Sequence, residues 1–192
     1  MTALAALEKQ KYDELWQDVP EYRLVSPGLE NVARFMSVLQ PERSSTVLDI
    51  GCGTGNAGLE LRRLGLQVWW LDLTDAGLDQ GVPRDRFIET TLWAHWRGPL
   101  MIGWDYGFCC DVMEHIPPEF TMLCLERILM ACRTAWFQIA LVPDNCGALI
   151  GRQLHLTVRP FRWWIERFND LGAHVTDARH LEQCGLYIVD RK

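Results

Sequence analysis

The chain has 192 residues, a length that one folded domain with a single hydrophobic core can accommodate. Apolar side chains make up 48% of it, including nine Trp and seven Phe, and this composition excludes an intrinsically disordered chain. Its 19 basic and 25 acidic residues give a net charge of −6, so the composition does not indicate a protein that binds polyanionic DNA or RNA.

Lysine and cysteine usage narrows the possible chemistry. The lysines are Lys9, Lys11 and Lys192, so the middle of the chain offers no lysine that binds phosphate or forms a Schiff base. The seven cysteines form no C-x-x-C pair, and several lie in apolar runs where a free thiol acts as a small hydrophobic group. We therefore predict neither a disulfide framework nor a metal site.

Targeting signals are not expected either. The charged N-terminus does not resemble a signal peptide, and no apolar run reaches the roughly 18 residues of a membrane span. We expect a reduced, soluble, cytoplasmic protein with no membrane partner.

Residues 1–40 are predicted to form two helices that precede the α/β core of a single domain. Apolar and charged residues alternate with helical spacing over residues 3–17, and Pro20 and the turn at residues 26–28 end this helix. A second amphipathic helix is predicted from about residue 29 to 39.

Strand and helix patterns alternate from residue 41 onward. Seven apolar segments have the composition and length of strands: residues 46–50, 68–71, 86–90, 106–110, 135–142, 173–178 and 186–189. Helices are predicted after the glycine-rich turn at residues 51–58, from Pro117-Pro118 onward, and over residues 161–171. This alternation predicts an open α/β sheet with helices on both faces.

The strongest local motif is V-L-D-I-G-C-G-T-G, which runs from Val47 to Gly55. Closely spaced glycines after a buried strand let the backbone approach a ligand, and the following helix offers unpaired N–H groups. Asp72 ends the next strand 17 residues beyond Gly55, where a carboxylate can accept hydrogen bonds from ribose hydroxyls. The motif and the acid together predict a nucleoside-type ligand at the carboxyl edge of the sheet.

Residues 53–58 also match G-x-G-x-x-G, the dinucleotide-binding fingerprint, which is a weak signal by itself. A pyrophosphate site places its first glycine directly after the strand, whereas Gly53 follows Ile50 by three residues. Asp49 would repel a pyrophosphate but suits a positively charged ligand. The Tyr-x-x-x-Lys pair of short-chain reductases is absent, so an NAD-binding oxidoreductase is the less favoured alternative.

Three segments together resemble the class I S-adenosylmethionine (SAM)-dependent methyltransferases, especially relatives of the ubiquinone-biosynthesis type. They are residues 49–55 (D-I-G-C-G-T-G), Asp72, and residues 111–117 (D-V-M-E-H-I-P). The resemblance implies a Rossmann-like, seven-stranded, mostly parallel sheet with helices on both faces and the last strand antiparallel. It also implies SAM as the cofactor, and one domain with a helical lid over residues 1–40 and an α/β core over residues 41–192.

The resemblance implies a set of SAM-binding residues on the glycine loop and the strand ends: Asp49, Gly51, Cys52, Gly53, Gly55, Asp72 and Asp111. Leu73 and Leu92 are candidates to sandwich the adenine ring, and Arg23 is a candidate to pair with the SAM carboxylate. The acid that such enzymes often carry after the third strand has no clear match among residues 89–93.

The candidate catalytic residues are Glu114 and His115 after the fourth strand, and His155 in the long connection after the fifth. Long connections are often functional, and a neutral imidazole accepts a proton near pH 7. For each of these residues a structural role is the alternative. We predict methyl transfer to an O, N or C atom of a small-molecule acceptor rather than a nucleic acid, with a non-catalytic SAM-binding regulatory subunit as the alternative.

Overall fold

The computed structural model describes residues 2–24, 26–101 and 103–191. Within these residues the chain forms seven strands: β1 (Thr46–Ile50), β2 (Gln67–Asp72), β3 (Phe87–Glu89), β4 (Trp104–Cys110), β5 (Cys132–Ala140), β6 (His174–His180) and β7 (Cys184–Asp190). The helices are α1 (Ala3–Asp18), α2 (Pro27–Leu39), α3 (Asn56–Arg63), α4 (Thr121–Ala131) and α5 (Phe161–Asp170).

The strands form one sheet in the order β3-β2-β1-β4-β5-β7-β6. Strand β7 is antiparallel to both of its neighbours, and the other pairings are parallel. The predicted α/β class, the mostly parallel seven-stranded sheet and the antiparallel last strand are confirmed. The chain runs outward from β1 to β3 and then returns to β4 beside β1, and this reversal of strand order opens a crevice at the carboxyl ends of the strands.

Helices cover both faces of the sheet, as alternation along β1 shows. Val47 packs into the layer formed with α2 and α3, whereas Leu48 and Ile50 pack into the layer formed with α4 and α5. Because successive side chains of a strand point to opposite faces, Asp49 lies on the face of α2 and α3. Its carboxyl group is therefore directed towards α3 rather than into solvent.

Two elements begin at least three residues away from their predicted starts. The helix expected from Pro117-Pro118 begins at Thr121, because Pro118–Phe120 forms a separate 3-10 turn. Strand β5 begins at Cys132 instead of residue 135, immediately after α4 ends. Arg133 is exposed at this end of β5, so the apolar run that predicts a strand starts only after it.

Helix α1 lies over the carboxyl edge of the sheet. The Lys9 ammonium donates to the Thr74 hydroxyl at 2.9 Å and lies 3.5 Å from the Glu89 carboxylate at the end of β3. Helix α2, by contrast, belongs to the core layer, where Phe35 is fully buried. Of the predicted lid segment at residues 1–40, α1 is thus the helix that covers the crevice. Among the described residues, no helix has both the length and the apolar composition needed to cross a bilayer.

Candidate functional site

Two adjoining cavities, of about 110 and 440 Å³, lie at the carboxyl ends of β1, β2 and β4. We name the smaller one the Asp72 cavity, because it is also lined by Asp72, Leu73 and residues 90–93. We name the larger one the His155 cavity, because it is also lined by His155, Asp49 and Gln138. The two cavities share Trp16, Tyr22, Gly51, Gly53, Asp111 and His115.

The loop between β1 and α3 depends on glycine at three positions. Gly51, Gly53 and Gly55 have φ values of 65°, 54° and 78°, in the left-handed region where a side chain is strained. A Cβ atom on Gly51 would lie 2.4 Å from Val112, and one on Gly55 would lie 2.5 Å from Val82. A Cβ atom on Gly53 would instead point across the cleft, where its nearest neighbour is the Trp16 ring at 3.4 Å. Gly53 is therefore the glycine of this loop that keeps space open in the cleft.

Asp72 ties the end of β2 to the glycine loop. Its Oδ2 accepts the Gly53 N–H at 2.8 Å, and its Oδ1 accepts the N–H groups of Leu73 at 2.7 Å and Thr74 at 3.3 Å. Burial raises the pKa of Asp72, against the opposing effect of these hydrogen bonds. A carboxylate offers about four acceptor sites, so Asp72 retains capacity for ligand hydroxyls in the cavity that it lines.

Asp49 occupies the buried end of β1. Its Oδ2 accepts the Gly58 N–H at 3.0 Å in the first turn of α3, and burial raises the pKa of Asp49 to about 7. Gly58 packs tightly here: a Cβ atom would lie 2.2 Å from Trp70 Nε1 and 2.8 Å from the Asp49 carboxylate. The third glycine of the G-x-G-x-x-G pattern thus brings α3 close to β1 and β2.

Asp111 follows β4 with a φ of 55°, a left-handed conformation that Asp tolerates better than most residues. Its Oδ1 accepts a hydrogen bond from Gln138 Nε2 at 3.1 Å, and its own N–H donates to the Gln138 carbonyl at 2.9 Å. Burial raises the pKa of Asp111. The carboxyl group is thereby fixed where both cavities meet.

Glu114 lies in the interior behind the cleft. Its side chain is fully buried, and Oε1 accepts the Ala140 N–H at 2.8 Å. Its backbone carbonyl accepts the N–H groups of Leu156 and Thr157 at 2.7 and 2.8 Å. Burial, reinforced by the charge of Asp111, raises the pKa of Glu114 well above its usual range. Glu114 therefore joins the turn after β4 to the loop after β5.

The two predicted histidines lie side by side. The rings of His115 and His155 meet edge-on with centroids 4.7 Å apart. His115 Nδ1 is hydrogen-bonded to the Tyr12 hydroxyl at 2.8 Å, and His155 Nδ1 donates to the Val142 carbonyl at 2.7 Å. Burial, with a smaller contribution from His155, lowers the pKa of His115 to about 3, so this ring is neutral. Both rings line the His155 cavity.

Arg23 occupies a place different from the predicted one. Its guanidinium donates to the carbonyls of Gly77 at 2.9 Å and Ala76 at 2.7 Å and lies over the Trp16 ring. It lines neither cavity. In this arrangement Arg23 anchors the segment after α1 to the loop after β2, because two fixed carbonyls satisfy its donors.

Most of the predicted site residues lie together in the cleft. The ones that line a cavity are Asp49, Gly51, Cys52, Gly53, Asp72, Leu73, Leu92, Asp111, His115 and His155. Gly55 and Glu114 lie beside the cleft without lining it, Gly55 at the start of α3 and Glu114 in the core. Burial raises the pKa of the Cys52 thiol, which keeps it protonated.

Four residues at or beside the cleft are not among the site residues predicted from the sequence. Trp16 and Tyr22 close the cleft from above, Gln138 fixes Asp111, and Gly58 fixes α3. Gln138 carries a usable signal, since an amide within the apolar run of β5 requires a buried partner. Trp16 does not, because an aromatic residue on an amphipathic helix has the same pattern whether it packs in the core or over a ligand.

The class of fold follows from comparison with solved structures. No family model matches the chain, and neither does any curated protein sequence. Many solved structures match its fold, and they include SAM-dependent methyltransferases. The chain therefore has the Rossmann-like fold of class I methyltransferases.

Three of these structures cover most of the chain. The 1,6-didemethyltoxoflavin-N1-methyltransferase of Burkholderia thailandensis, solved with 1,6-didemethyltoxoflavin and S-adenosylhomocysteine, has 15% identity and a TM-score of 0.71, covering 100% of this chain and 92% of its own. The magnesium protoporphyrin IX methyltransferase of Synechocystis PCC 6803, solved with SAM, has 15% identity and a TM-score of 0.64, covering 85% and 78%. A TehB-like SAM-dependent methyltransferase of Corynebacterium glutamicum has 14% identity and a TM-score of 0.61, covering 97% and 100%. Identities this low establish a shared fold.

Proposed function

We propose that the chain is a SAM-dependent methyltransferase that acts on a small-molecule acceptor. One observation carries this proposal: the hydrogen bond from the Gly53 N–H to Asp72, at the edge of the sheet where the strand order reverses. This hydrogen bond places Gly53, where a side chain would enter the cleft, beside a carboxylate that can accept further hydrogen bonds. A nucleoside with an attached amino acid needs both features, one for close approach and one for its ribose hydroxyls.

The lining of the two cavities fits the parts of SAM. In the Asp72 cavity, the Asp72 carboxylate suits the ribose hydroxyls. The apolar side chains of Leu73 and Leu92 suit the adenine ring. Asp49 and Asp111 suit a cationic amino acid group and sulfonium, because the buried Asp49 and the half-buried Asp111 make no ion pair among the described residues. Between these two regions, the backbone of residues 51–53 can approach the ligand closely.

SAM supplies an activated methyl group on a sulfonium, so the protein has mainly to align the reactants and exclude water. Trp16 and Tyr22 line both cavities and shield part of the cleft from solvent. His155 lies on the acceptor side. In the neutral ring its Nδ1 carries the proton given to Val142, which leaves Nε2 with a lone pair. His155 thereby orients or deprotonates the acceptor, with His115 beside it.

A small-molecule acceptor is supported by the His155 cavity of about 440 Å³ and by two neighbours named above, whose names include 1,6-didemethyltoxoflavin and magnesium protoporphyrin IX. The dinucleotide alternative fits the sheet less well. The dinucleotide-binding sheet runs 3-2-1-4-5-6, whereas here the antiparallel β7 lies between β5 and β6. The acidic net charge of −6 favours a small molecule over a nucleic acid.

Isothermal titration calorimetry tests the proposal. SAM and S-adenosylhomocysteine should each bind once per chain, and NAD⁺ should not bind. Binding of NAD⁺ alone, or of none of the three, would contradict the proposal. A chain that binds SAM yet methylates no compound in a broad acceptor screen would indicate the regulatory alternative.

A further inference from the structure

Glu114, His115 and His155 form a cluster in which possible metal-ligand atoms, one from each residue, lie within 4.8 Å of one another. Both histidines line the His155 cavity, and Glu114 lies behind them in the interior. The three residues come from the turn after β4 and the loop after β5, so tertiary folding brings them together.

Glu114 has one carboxylate oxygen without a partner. Oε1 accepts the Ala140 N–H, whereas Oε2 is fully buried and receives no N–H or O–H group of the described residues. The neighbouring Asp111 carboxyl group pairs with Glu114 only when one of the two carries a proton. Buried polar atoms are nearly always satisfied, and an exception calls for a group such as an ion or a water. The open acceptor belongs to the same residue that the two imidazoles approach.

His155 is held as metal-binding histidines are held. A carbonyl oxygen only accepts, so His155 Nδ1 carries the proton donated to Val142, and in the neutral ring Nε2 is unprotonated. A ring N–H donated to a backbone carbonyl is the usual outer support of a metal-bound histidine. His115 Nδ1 is hydrogen-bonded to the Tyr12 hydroxyl, and the ring also lies beside the Leu154 carbonyl. Metal binding requires the tautomer in which Nδ1 donates to Tyr12 and Nε2 is unprotonated.

We propose that Glu114, His115 and His155 bind a divalent first-row transition metal, with an open coordination position facing the His155 cavity. Two imidazoles and a carboxylate suit such a metal, whereas Mg²⁺ and Ca²⁺ prefer ligand sets made of oxygen. Ligand bonds of about 2.1 Å place tetrahedral ligands about 3.4 Å apart, so a bound metal would draw the three ligand atoms, which lie within 4.8 Å of one another, closer together. The absence of a C-x-x-C pair, from which no metal site was predicted, has no bearing on ligands of this kind.

The role of the metal rests on the proposed methyltransferase function. In that role, a hydroxyl oxygen of the acceptor would occupy the open position. The bound metal would lower the pKa of this hydroxyl group, whose proton would pass to water. A metal-bound His155 has no lone pair left to act as a base, so the metal takes over that task. The acceptor then belongs to the hydroxyl compounds whose oxygen can ligate a metal.

Titration of the metal-free full chain with Co²⁺ tests the site, because visible absorption of Co²⁺ reports its coordination and calorimetry gives the stoichiometry. We expect one ion per chain. Glu114→Gln keeps an oxygen for the Ala140 N–H, so it should fold, and both it and His155→Ala should weaken Co²⁺ binding at least about tenfold. His174→Ala, at an exposed position on β6, is the matched control and should bind as the wild type does.

Several outcomes would overturn the proposal. They are the absence of binding of Co²⁺, Zn²⁺ and Mn²⁺ up to about 1 mM, or equal Co²⁺ affinity in the wild type and Glu114→Gln. Catechol, a chelating diol, should shift the absorption of the Co²⁺ protein, and an unchanged band would overturn the hydroxyl assignment. SAM calorimetry on the same samples keeps the two proposals distinguishable: SAM binding without metal binding removes only the metal site, and metal binding without SAM binding removes only the proposed function.

Discussion

Two carboxyl groups determine the electrostatic properties of the cleft. Asp49 and Asp72 are both held by backbone N–H groups, and burial raises the pKa of each. Burial makes each carboxyl group unfavourable to ionise, although the charge of Lys9 opposes this effect at Asp72. Both groups are therefore strong partners for a ligand that supplies hydroxyl donors or positive charge. The apo protein therefore carries a cost at these residues that a bound ligand relieves.

Replacing Asp72 by Ala should weaken SAM binding by about 1–3 kcal/mol, the scale of lost hydrogen bonds to a charged group. The change also removes the acceptor for the Gly53 N–H, so the loop loses its anchor. Calorimetry measures the affinity. Asp75→Ala is the control, because Asp75 is an exposed carboxylate paired with Arg84, and its loss should leave the affinity unchanged. Equal affinities in the two variants would remove Asp72 from the site.

Asp49 should make the protein less stable as the pH rises. Its folded-state pKa of about 7 lies above its usual value of 3.8, so the folded protein holds the proton more tightly than the unfolded chain does. Stability present below pH 4 is then lost as the pH rises to about 7, by on the order of 4 kcal/mol. Asp49→Asn removes this titration, so urea unfolding at pH 5 and pH 8 should show a smaller loss in the variant than in the wild type.

Asp49 should also make SAM binding depend on pH. The affinity for SAM should rise with pH, whereas the stability of the free protein falls. Ionised Asp49 attracts a cationic ligand and protonated Asp49 does not, so SAM affinity of the wild type should rise several-fold between pH 6 and pH 7.5. Asp49→Asn should bind SAM weakly and with little dependence on pH. A variant that gains stability at pH 8 and still binds SAM as tightly as the wild type would show that Asp49 has no part in binding.

At the scale of elements, the glycine loop and α3 form one unit with two separable tasks. Gly53 keeps the cleft open, and Gly58 lets α3 pack against Trp70 and Asp49. Gly53→Val should abolish SAM binding while the protein stays folded, because the added side chain points into the cleft. Gly58→Ala should instead destabilise the fold by about 1–3 kcal/mol, the usual cost of overpacking. Calorimetry with SAM and urea unfolding of both variants separate the two effects, and a Gly53→Val variant with normal SAM binding would reduce the loop to a turn.

Helix α1 covers the cleft, and its side chains attach it to the edge of the sheet. Trp16 is 8% exposed and faces Gly53 and Gly77, while Lys9 and Tyr12 hold α1 to the edge of the sheet. Trp16→Ala should speed SAM dissociation at least about tenfold, because most changes in affinity act through the dissociation rate. Surface plasmon resonance measures this rate, and Leu7→Ala, an exposed position on the same helix, is the control. Equal dissociation rates would show that α1 does not retain the ligand.

For the whole molecule, ligand binding should appear as added stability. SAM at about 100 times its Kd adds roughly 2.7 kcal/mol by mass action, which raises the Tm of a domain of this size by roughly 5–10 °C. Differential scanning calorimetry measures the shift. NAD⁺ at the same concentration should leave the Tm unchanged, and a shift with NAD⁺ that equals the shift with SAM would favour the dinucleotide alternative.

Features encoded by residues that are adjacent in the chain could be predicted from the sequence. The seven strands, the glycine loop and Asp72 are each specified by residues that are neighbours in the chain. A strand needs only a short apolar run, and an acid at its end necessarily lies at the carboxyl edge of a parallel sheet. The fold class and the side of the sheet that carries the cleft were therefore determined by the sequence alone.

Tertiary structure decided what depends on packing between distant segments. His155 lies 40 residues beyond His115 in the chain, yet their rings are in contact, because β5 and its loop return to the end of β4. Arg23 binds backbone carbonyls of the loop after β2 instead of facing the cleft, and Trp16 faces Gly53 because α1 crosses the sheet edge. Side-chain identity gives what a residue can bind, but only the packed chain determines which partner comes within reach.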